Sequence, residues 1–209
     1  MSRTAASLPG DRATDRSSQA DRNNRPQSGR GARQRILETA LKLFYAEGIR
    51  AVGIDRIIAE SGAAKMSFYR HFPSKSDLVC AFLDERHRRW MLWMLTRFEA
   101  LSKRKSPKLP VVADVLKEWF QSSEFHGCAF INILAETTAA DTRERAIARA
   151  HKDELQSFLA DIAKADGAAK PIETARLALM IIEGAIVRAE MTGNANVAAD
   201  CKKLLAALI

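Results

Sequence analysis

The sequence predicts an all-α fold in which a small three-helix unit precedes a larger helical domain. Apolar residues recur three or four positions apart along most of the chain after residue 31, and this spacing builds one face of a helix. Glycine, proline and capping residues mark where the helices begin and end. A chain of 209 residues is long enough for two domains. We expect a disordered basic arm over 1–30, the three-helix unit over 31–76 and the second domain over 77–209.

Glycines separate the first two predicted helices. A helix over about 32–47 ends at Gly48, and its wide apolar face carries Ile36, Leu37, Ala40, Leu41 and Phe44. A second, shorter helix follows Gly53, which is an acceptable N-cap. Its apolar stripe consists of Ile54, Ile57 and Ile58. The stripe stops at Gly62, a residue that can adopt the left-handed conformation of a tight turn.

A third short helix is predicted over about 64–71. Phe68 and Phe72 lie four positions apart and face the core, whereas the outward face carries Lys65, Met66, Ser67 and Arg70. Ser74 and Asp77 then have the form of a capping box, which opens a long helix. Three such helices with a basic outer face indicate a helix-turn-helix unit, whose second motif helix reads the major groove. A plain helical bundle with solvated charges fits the periodicity equally well.

The residues between Ile57 and Lys75 resemble a known family. The turn Ser-Gly-Ala-Ala-Lys at 61–65 and the string Phe-Tyr-Arg-His-Phe-Pro-Ser-Lys at 68–75 are similar to the N-terminal domain of the TetR/AcrR family of one-component transcriptional regulators. The detailed resemblance covers about 33–83, roughly a quarter of the chain. It implies a homodimer that binds a double-stranded DNA operator through 31–76 and a small-molecule effector through 77–209.

The resemblance also implies a set of DNA contacts. The expected DNA-binding residues are Arg33, Gly53, Arg56, Ala64, Lys65, Met66, Ser67, Tyr69, His71 and Lys75. Among them, the tyrosine, the histidine and the last lysine would bind phosphates, which fixes the register on DNA without reading its sequence. The run from Lys65 to Ser67 would face base edges, where lysine can donate to guanine and methionine can touch a thymine methyl group.

The chain departs from the family pattern at three positions in this unit. Family members usually carry Ser or Thr at the positions of Val52 and Gly53, and often Ser at that of Ala64. The phosphate contact near Gly53 would then fall to its backbone N–H or to Arg56. Simple packing of Tyr69, a half-buried His71, and solvated charges at Arg70 and Lys75 are alternative interpretations of the same residues.

The positive charge is concentrated near this unit. The formal net charge is +8, and residues 1–80 hold 14 Lys and Arg against 8 Asp and Glu. Such an excess favours DNA through phosphate contacts and counterion release, which weaken with salt. Residues 1–30 are rich in Ser, Asp, Asn, Gly and Arg and lack apolar periodicity, so we expect an arm that is disordered and either contacts DNA or does not.

Other protein classes find little support. The N-terminus has no apolar signal region and no apolar run is long enough to span a bilayer, so we expect a cytoplasmic protein without membrane contact. Cys80, Cys128 and Cys201 match no zinc spacing, and neither disulfides nor a metal or cofactor are expected. The four histidines form no nucleophile or metal signature, so we do not expect an enzyme.

The second domain is predicted to contain six helices. A long helix from Ser74 to about residue 101 leaves the DNA-binding unit and is the natural lever between the domains. Further helices are expected over about 111–122, 128–138, 142–165 and 171–192, and from residue 194 onwards. Asp141 and Glu144 are placed as a capping box for the helix over 142–165, and Pro171 is placed at a first-turn position.

Large and deformable side chains are concentrated in the first half of this domain. The expected effector pocket is lined by Trp90, Trp93, Met94, Phe98, Trp119, Phe120, Cys128 and Ile131, with polar groups such as His126, Asn132 and Glu136 near its wall. An ordinary packed core is the alternative for each of them. Cys128 lies in a Gly-Cys element seen in part of the family and is either a sensor of oxidants or electrophiles or an inert buried thiol.

The last two helices suit association between subunits. Small residues in 171–192 permit close helix packing, and two helices from each subunit would form an intersubunit four-helix bundle, as in the family. The sequence therefore predicts a dimeric repressor that reads a palindromic operator and is released by a small-molecule effector. The alternatives are a non-specific architectural DNA-binding protein without an effector, and intrachain packing of the two helices.

Overall fold

The computed structural model describes residues 31–137 and 142–209, and the predicted arm lies outside this part. The described residues form helices with no strand, as the apolar periodicity predicts. In chain order these are α1 (Ala32–Glu47), α2 (Ile54–Ser61), α3 (Lys65–His71), α4 (Lys75–Ser102), α5 (Val111–Phe120), α6 (Ala129–Glu136), α7 (Arg143–Ala165), α8 (Pro171–Thr192) and α9 (Val197–Ala206).

The first three helices share one small core. Ile36 of α1, Ile57 of α2 and Phe68 of α3 are completely buried, so the three predicted apolar faces meet. Gly62 follows α2 with φ of 62° and ψ of 25°, which is the left-handed conformation that ends a helix in a tight turn. Phe72 is also buried and closes the core at the end of α3.

The long helix α4 connects this core to the second domain. Ser74 is its N-cap, and the Ser74 side chain accepts a hydrogen bond from the backbone N–H of Asp77 at 3.1 Å, as the capping box predicts. The helix is continuous across residue 76, where we placed the domain boundary. Residues Ala32–Ile209 form one compact unit, in which α4 runs without a break from the first core into the second domain.

The second domain packs α7 against α8, α5 against α9, and α4 against both α5 and α7. Its fully buried large side chains include Phe82, Met94, Leu109, Leu116, Ile133, Leu155 and Leu159. The carboxylate of Asp166, just after α7, accepts hydrogen bonds from the backbone N–H groups of Lys108 and Leu109. This contact ties the loop before α5 to the end of α7.

The predicted cap of α7 is wrong by one residue. Thr142 is the N-cap, and its hydroxyl accepts a hydrogen bond from the N–H of Arg145 at 3.2 Å. Asp141 lies outside the described residues. Glu144, which we expected to complete a local capping box, instead accepts a hydrogen bond from the hydroxyl of Ser76 in α4. The tertiary contact with α4 therefore decides its role.

Candidate functional site

Helix α3 presents to solvent the residues expected to face bases. Met66 is 83% exposed, Lys65 and Ala64 are exposed and Ser67 is half-buried. Phe68, which follows them, is fully buried and fixes the rotation of α3 against the core. The outward face is therefore set by the packing of the inward face.

The residues expected to contact phosphates are partly exposed. Tyr69 is 41% exposed, and its ring meets Phe68 edge-on at 5.3 Å between centroids. His71 and Lys75 are half-buried, with the Lys75 ammonium 6.0 Å from the ring centroid of Phe44. Packing of these side chains limits their motion but leaves polar groups available as donors.

The remaining expected contacts differ in how far they are already occupied. Gly53 is the exposed N-cap of α2, and Arg33 is exposed with its guanidinium 5.4 Å from the ring of Phe72. Arg56 forms ion pairs with Glu47 at 2.5 Å and Glu60 at 2.7 Å. The hydrogen bonds that Arg56 donates to Glu47 and then to Glu60 raise the pKa of Arg56. A phosphate would have to compete with both carboxylates for Arg56.

The sequence analysis missed the residue that holds the turn of the motif. Arg35 of α1 donates from Nε to the carbonyl oxygen of Ser61 at 3.1 Å and from Nη2 to that of Gly62 at 3.4 Å. These carbonyls lie at the C-terminal end of α2, where no intrahelical donor is available. No local pattern in the sequence identifies this arginine, because its partners are 26 and 27 residues away.

The expected effector-pocket residues are distributed over three cavities. Trp90, Trp93 and Trp119 line a cleft of about 420 Å³ between α4 and α5. Trp90, Trp119 and Cys128 also border a cavity of about 10 Å³, which is close to the space of one water molecule. Ile131 lines a third and larger cavity. The other expected residues are Met94, Phe98 and Phe120, and none of them lines these cavities.

The largest of these cavities has a volume of about 740 Å³ and lies between α6, α7 and α8. This volume falls in the range of small-molecule sites. Its apolar wall is formed by Phe130, Ile131, Leu134, Ala148, Val187 and Met191, and its charged groups are Arg145, Arg149, Lys152, Glu183 and Arg188. We refer to it as the α6–α8 cavity.

The α6–α8 cavity adjoins a buried polar cluster. The Lys152 ammonium lies 3.0 Å from the carboxylate of Glu183 and 3.6 Å from Sγ of Cys128. The ring of His151 stacks on Phe130, with 3.8 Å between centroids. Burial lowers the pKa of His151 to about 3, so this imidazole is neutral at physiological pH.

His151 also has a close polar partner in α4. Its Nδ1 lies 2.9 Å from Nδ1 of His87, so one of these two nitrogens donates to the other. Nε2 of His87 is 3.2 Å from the carboxylate of Glu154. The indole N–H of Trp90, whose ring meets that of His151 edge-on at 5.4 Å, is buried and has no hydrogen-bond partner among the described residues.

Both ends of α6 are connected to the three-helix unit. At one end, the hydroxyl of Tyr45 donates to the carbonyl oxygen of Gly127 at 2.8 Å and accepts from the N–H of His126 at 3.1 Å. At the other end, the carboxylate of Glu136 accepts from the N–H of Arg50 at 2.6 Å, and the Arg50 Nε donates to the Glu136 carbonyl oxygen. The helix that forms one wall of the cavity thus contacts the end of α1 and the loop after it.

A second connection joins the start of α4 to the start of α7. The carboxylate of Asp77 forms an ion pair with Arg143 at 3.0 Å. Hydrogen bonds from Ser74 and Arg143 lower the pKa of Asp77. Burial tends to raise the pKa of Glu144, but the hydrogen bond from Ser76 and further polar contacts have the larger effect. The pKa of Glu144 is therefore lowered.

An apolar stripe on α8 faces solvent. Its exposed members are Leu177, Met180, Val187 and Met191, at 40%, 64%, 41% and 75% exposure. Gly184 lies between them, and these positions alternate in steps of three and four, as along one line of a helix surface. Leu204 of α9 is 54% exposed. We call these residues the α8–α9 stripe.

Two other types of site are absent from the described part of the chain. Within residues 31–137 and 142–209, no group of three His, Cys, Asp or Glu side chains is arranged to hold a metal ion. None of the helices described there combines the length and apolar character needed to cross a membrane.

The family model for bacterial regulatory proteins of the tetR family matches residues 36–82, the segment from α1 into α4. An HTH-type transcriptional regulator of Staphylococcus aureus strain USA300 is 46% identical over 54 residues, which are 26% of this chain and 29% of that protein. An uncharacterized HTH-type transcriptional regulator from the lacX 3' region of Lactococcus lactis subsp. lactis is 28% identical over 115 residues, 54% of this chain and 58% of that protein. The alignments thus span less than two thirds of either relative.

A solved structure extends the similarity beyond the first three helices. SCO4454, a TetR-family transcriptional regulator from Streptomyces coelicolor, superposes with a TM-score of 0.75 at 28% identity and covers 85% of this chain and 93% of its own. These relatives are transcription regulators rather than enzymes. Residues 36–82 thus carry the helix-turn-helix DNA-binding domain of the TetR family of transcriptional regulators, and the described helices share the all-α fold of a TetR-family regulator.

Proposed function

We propose that this protein is a cytoplasmic, dimeric repressor that reads a palindromic operator and is released when a small molecule enters the α6–α8 cavity. The observation that carries the proposal is the connection of one cavity wall, α6, to the three-helix unit at both of its ends. A ligand that displaces α6 therefore acts on α1 and the loop after it, and through α1 on the position of α3. Such control requires that the ligand bind the two conformers with different affinity.

The α8–α9 stripe supports a twofold dimer. Leu177 and Met180 of α8 and Leu204 of α9 are exposed members of the stripe that do not line the α6–α8 cavity. Such apolar side chains are costly in water and favour burial against a second copy. Two copies related by a twofold axis would place their α3 helices on successive major grooves.

The exposure pattern of α3 supports the expected division of labour on DNA. Lys65, Met66 and Ser67 would read bases, while Tyr69, His71 and Lys75 would hold phosphates. Lys65 lies 3.5 Å from Asp55, and both side chains are well exposed, so this weak pair opens easily. Arg35 would act indirectly by holding the turn between α2 and α3.

The test is recovery of DNA by the full chain from a pool of genomic fragments. We expect enrichment of fragments that share a palindromic site, with binding that weakens steeply as salt increases. Retention that depends on salt but is indifferent to sequence would instead indicate an architectural DNA-binding protein. A matched Met66→Ala variant should fold normally, because Met66 is 83% exposed. It should bind the pool with an altered site preference, because Met66 would read bases.

The dimer is tested separately by sedimentation of the full chain and of Met180→Glu. We expect a dimer for the natural sequence and a monomer for the variant, because a carboxylate in the α8–α9 stripe would be buried without a partner. Asp200→Asn, an exposed change on α9, serves as the control and should remain dimeric. A monomeric natural chain at micromolar concentration would contradict the proposed assembly.

A further inference from the structure

We propose that the effector is a small carboxylate with an apolar body, held by Arg149 and Arg188 at the charged side of the α6–α8 cavity. This inference rests on the proposed function, in which that cavity receives the effector. It concerns the chemical class of the ligand, which can be measured without DNA.

The lining of the cavity carries an excess of positive charge. Its described lining holds four cationic side chains, Arg145, Arg149, Lys152 and Arg188, but one carboxylate, that of Glu183. Lys152 already forms an ion pair with Glu183 at 3.0 Å. Three guanidinium groups are therefore left without a carboxylate from the lining. A cationic ligand would be repelled, and an anionic ligand would be attracted by the excess positive charge of the lining.

The three guanidinium groups differ in how many of their N–H donors already have partners. Arg145 donates from Nη2 to the carbonyl oxygens of Leu134 and Thr137, at 3.3 and 2.9 Å, so it serves to cap the end of α6. Its Nε is buried and has no partner among the described residues. The side chains of Arg149 and Arg188 form no ion pair or hydrogen bond within the described part of the chain. These two have their full donor capacity available for a carboxylate, which arginine can bind in bidentate fashion.

The remaining large side chains of the lining are apolar. Phe130, Ile131 and Leu134 of α6 face Val187 and Met191 of α8 across the cavity. An aliphatic or aromatic body would cover this surface, which water solvates poorly. Phe130 is also held in place by its stacking on the neutral ring of His151. The lining thus combines apolar side chains with an excess of positive charge, as an amphipathic anion requires.

Titration calorimetry with the full chain tests this class of ligand. The probes are decanoate and 2-naphthoate, which distinguish an aliphatic from an aromatic body, and the matched neutral amides decanamide and 2-naphthamide. We expect at least one carboxylate to bind about tenfold or more tightly than its amide, the effect of one charge-assisted pair. Equal binding of amide and carboxylate, or binding of neither carboxylate at millimolar concentration, would overturn the proposal.

Variants locate the charge that is responsible. Arg149→Gln with Arg188→Gln should weaken carboxylate binding about tenfold or more and leave amide binding unchanged. Lys117→Gln, which removes one exposed charge on α5 outside the cavity, is the matched control and should bind like the natural chain. Carboxylate binding that the double variant leaves unchanged would place the anion elsewhere and overturn the assignment.

The proposed function is judged by a different readout. A carboxylate that binds in the calorimeter is added to the complex of the protein with its recovered operator, and release is followed by fluorescence anisotropy. Release supports both proposals. Binding without release would contradict effector control while leaving the ligand class intact, whereas release by a neutral amide alone would contradict the class and leave effector control intact.

Discussion

The three-helix unit and the second domain differ in what decides their functional surfaces. In the three-helix unit, the same short helix buries Phe68 and exposes Met66, so one local pattern determines both the core and the proposed DNA-facing surface. In the second domain, the α6–α8 cavity is assembled from three helices separated by loops, and its charges come from positions far apart in sequence. The DNA-facing surface proposed here is therefore determined by the local sequence of one helix, whereas a ligand cavity is determined by tertiary packing.

The largest expected effect tests the local encoding in α3. Phe68→Ala should lower the free energy of unfolding by about 3–5 kcal/mol, because it removes a fully buried ring and leaves a cavity. Met66→Ala, two residues away, should change stability by no more than about 0.5 kcal/mol. Urea denaturation followed by circular dichroism measures both. Similar stabilities for the two variants would break the link between inward packing and outward display.

The second effect separates the two kinds of DNA contact. Tyr69→Phe removes one hydroxyl and should weaken binding by a similar factor on every DNA sequence, within the range of about 1–3 kcal/mol for a lost contact. Lys65→Gln should instead weaken binding mainly on the recovered site. Anisotropy with the operator and with a scrambled duplex measures this. A purely site-specific loss in Tyr69→Phe would assign that residue to base reading.

The third effect lies in the second domain and depends on pH. The folded-state pKa of His151, about 3, is below the ordinary value near 6.5, so folding favours the neutral ring. This contribution is complete above pH 6.5 and is lost as the pH falls towards 3, because the unfolded chain takes up the proton first. We expect a loss of about 2 kcal/mol between pH 7.5 and 5.

His151→Leu provides the test of this pH dependence. The variant should show a shallower fall in the free energy of unfolding between pH 7.5 and 5 than the natural chain. His71→Gln, in the three-helix unit, is the control and should retain the natural slope. An unchanged slope in His151→Leu would show that other groups dominate the acid sensitivity of the second domain.

The fourth effect concerns the connection between the two regions. Glu136→Gln weakens the contacts with Arg50 and should reduce the effect of a ligand on operator affinity by about 0.5–2 kcal/mol. Operator binding without ligand should change less. Ligand-dependent anisotropy measures the difference, with Glu124→Gln, outside this contact, as a control. Full coupling in Glu136→Gln would indicate that α4, rather than the end of α6, transmits the signal.

The smallest effect tests whether Arg56 reaches DNA. Glu47→Gln should change the free energy of unfolding little, because the ion pair with Arg56 is exposed and screened by solvent. If Arg56 binds a phosphate, operator affinity should rise, since one competing carboxylate has been neutralised. Arg56→Gln measures the loss of the contact itself. Unchanged affinity in both variants would remove Arg56 from the DNA-binding set.

The sequence was sufficient for elements whose cause is local. Gly62, Ser74 and Pro171 each start or stop a helix through their own backbone or side chain, and the structure places the helix ends beside them. The cap of α7 failed because Glu144 is drawn to Ser76 by a tertiary contact. Periodicity predicts that a residue is buried, but it does not tell which buried residues surround empty space.

The same limit explains the candidate cavity. The aromatic residues of α4 and α5 were conspicuous in the sequence, yet Met94 is a fully buried core residue and Phe98 packs edge-on against Phe158. No sequence pattern singled out the arginines of α7 and α8. Their convergence depends on the angle between two helices, which a one-dimensional pattern does not contain.

The uninterrupted length of α4 has a geometric consequence. Its 28 residues extend over about 42 Å at the usual rise of a helix. A rotation of about 5° around one end therefore displaces the other end by roughly 3.7 Å, close to the spacing of about 3.4 Å between successive base pairs. An angular change too small to disturb the packing of either core is thus enough to shift a bound helix by one step of the DNA ladder.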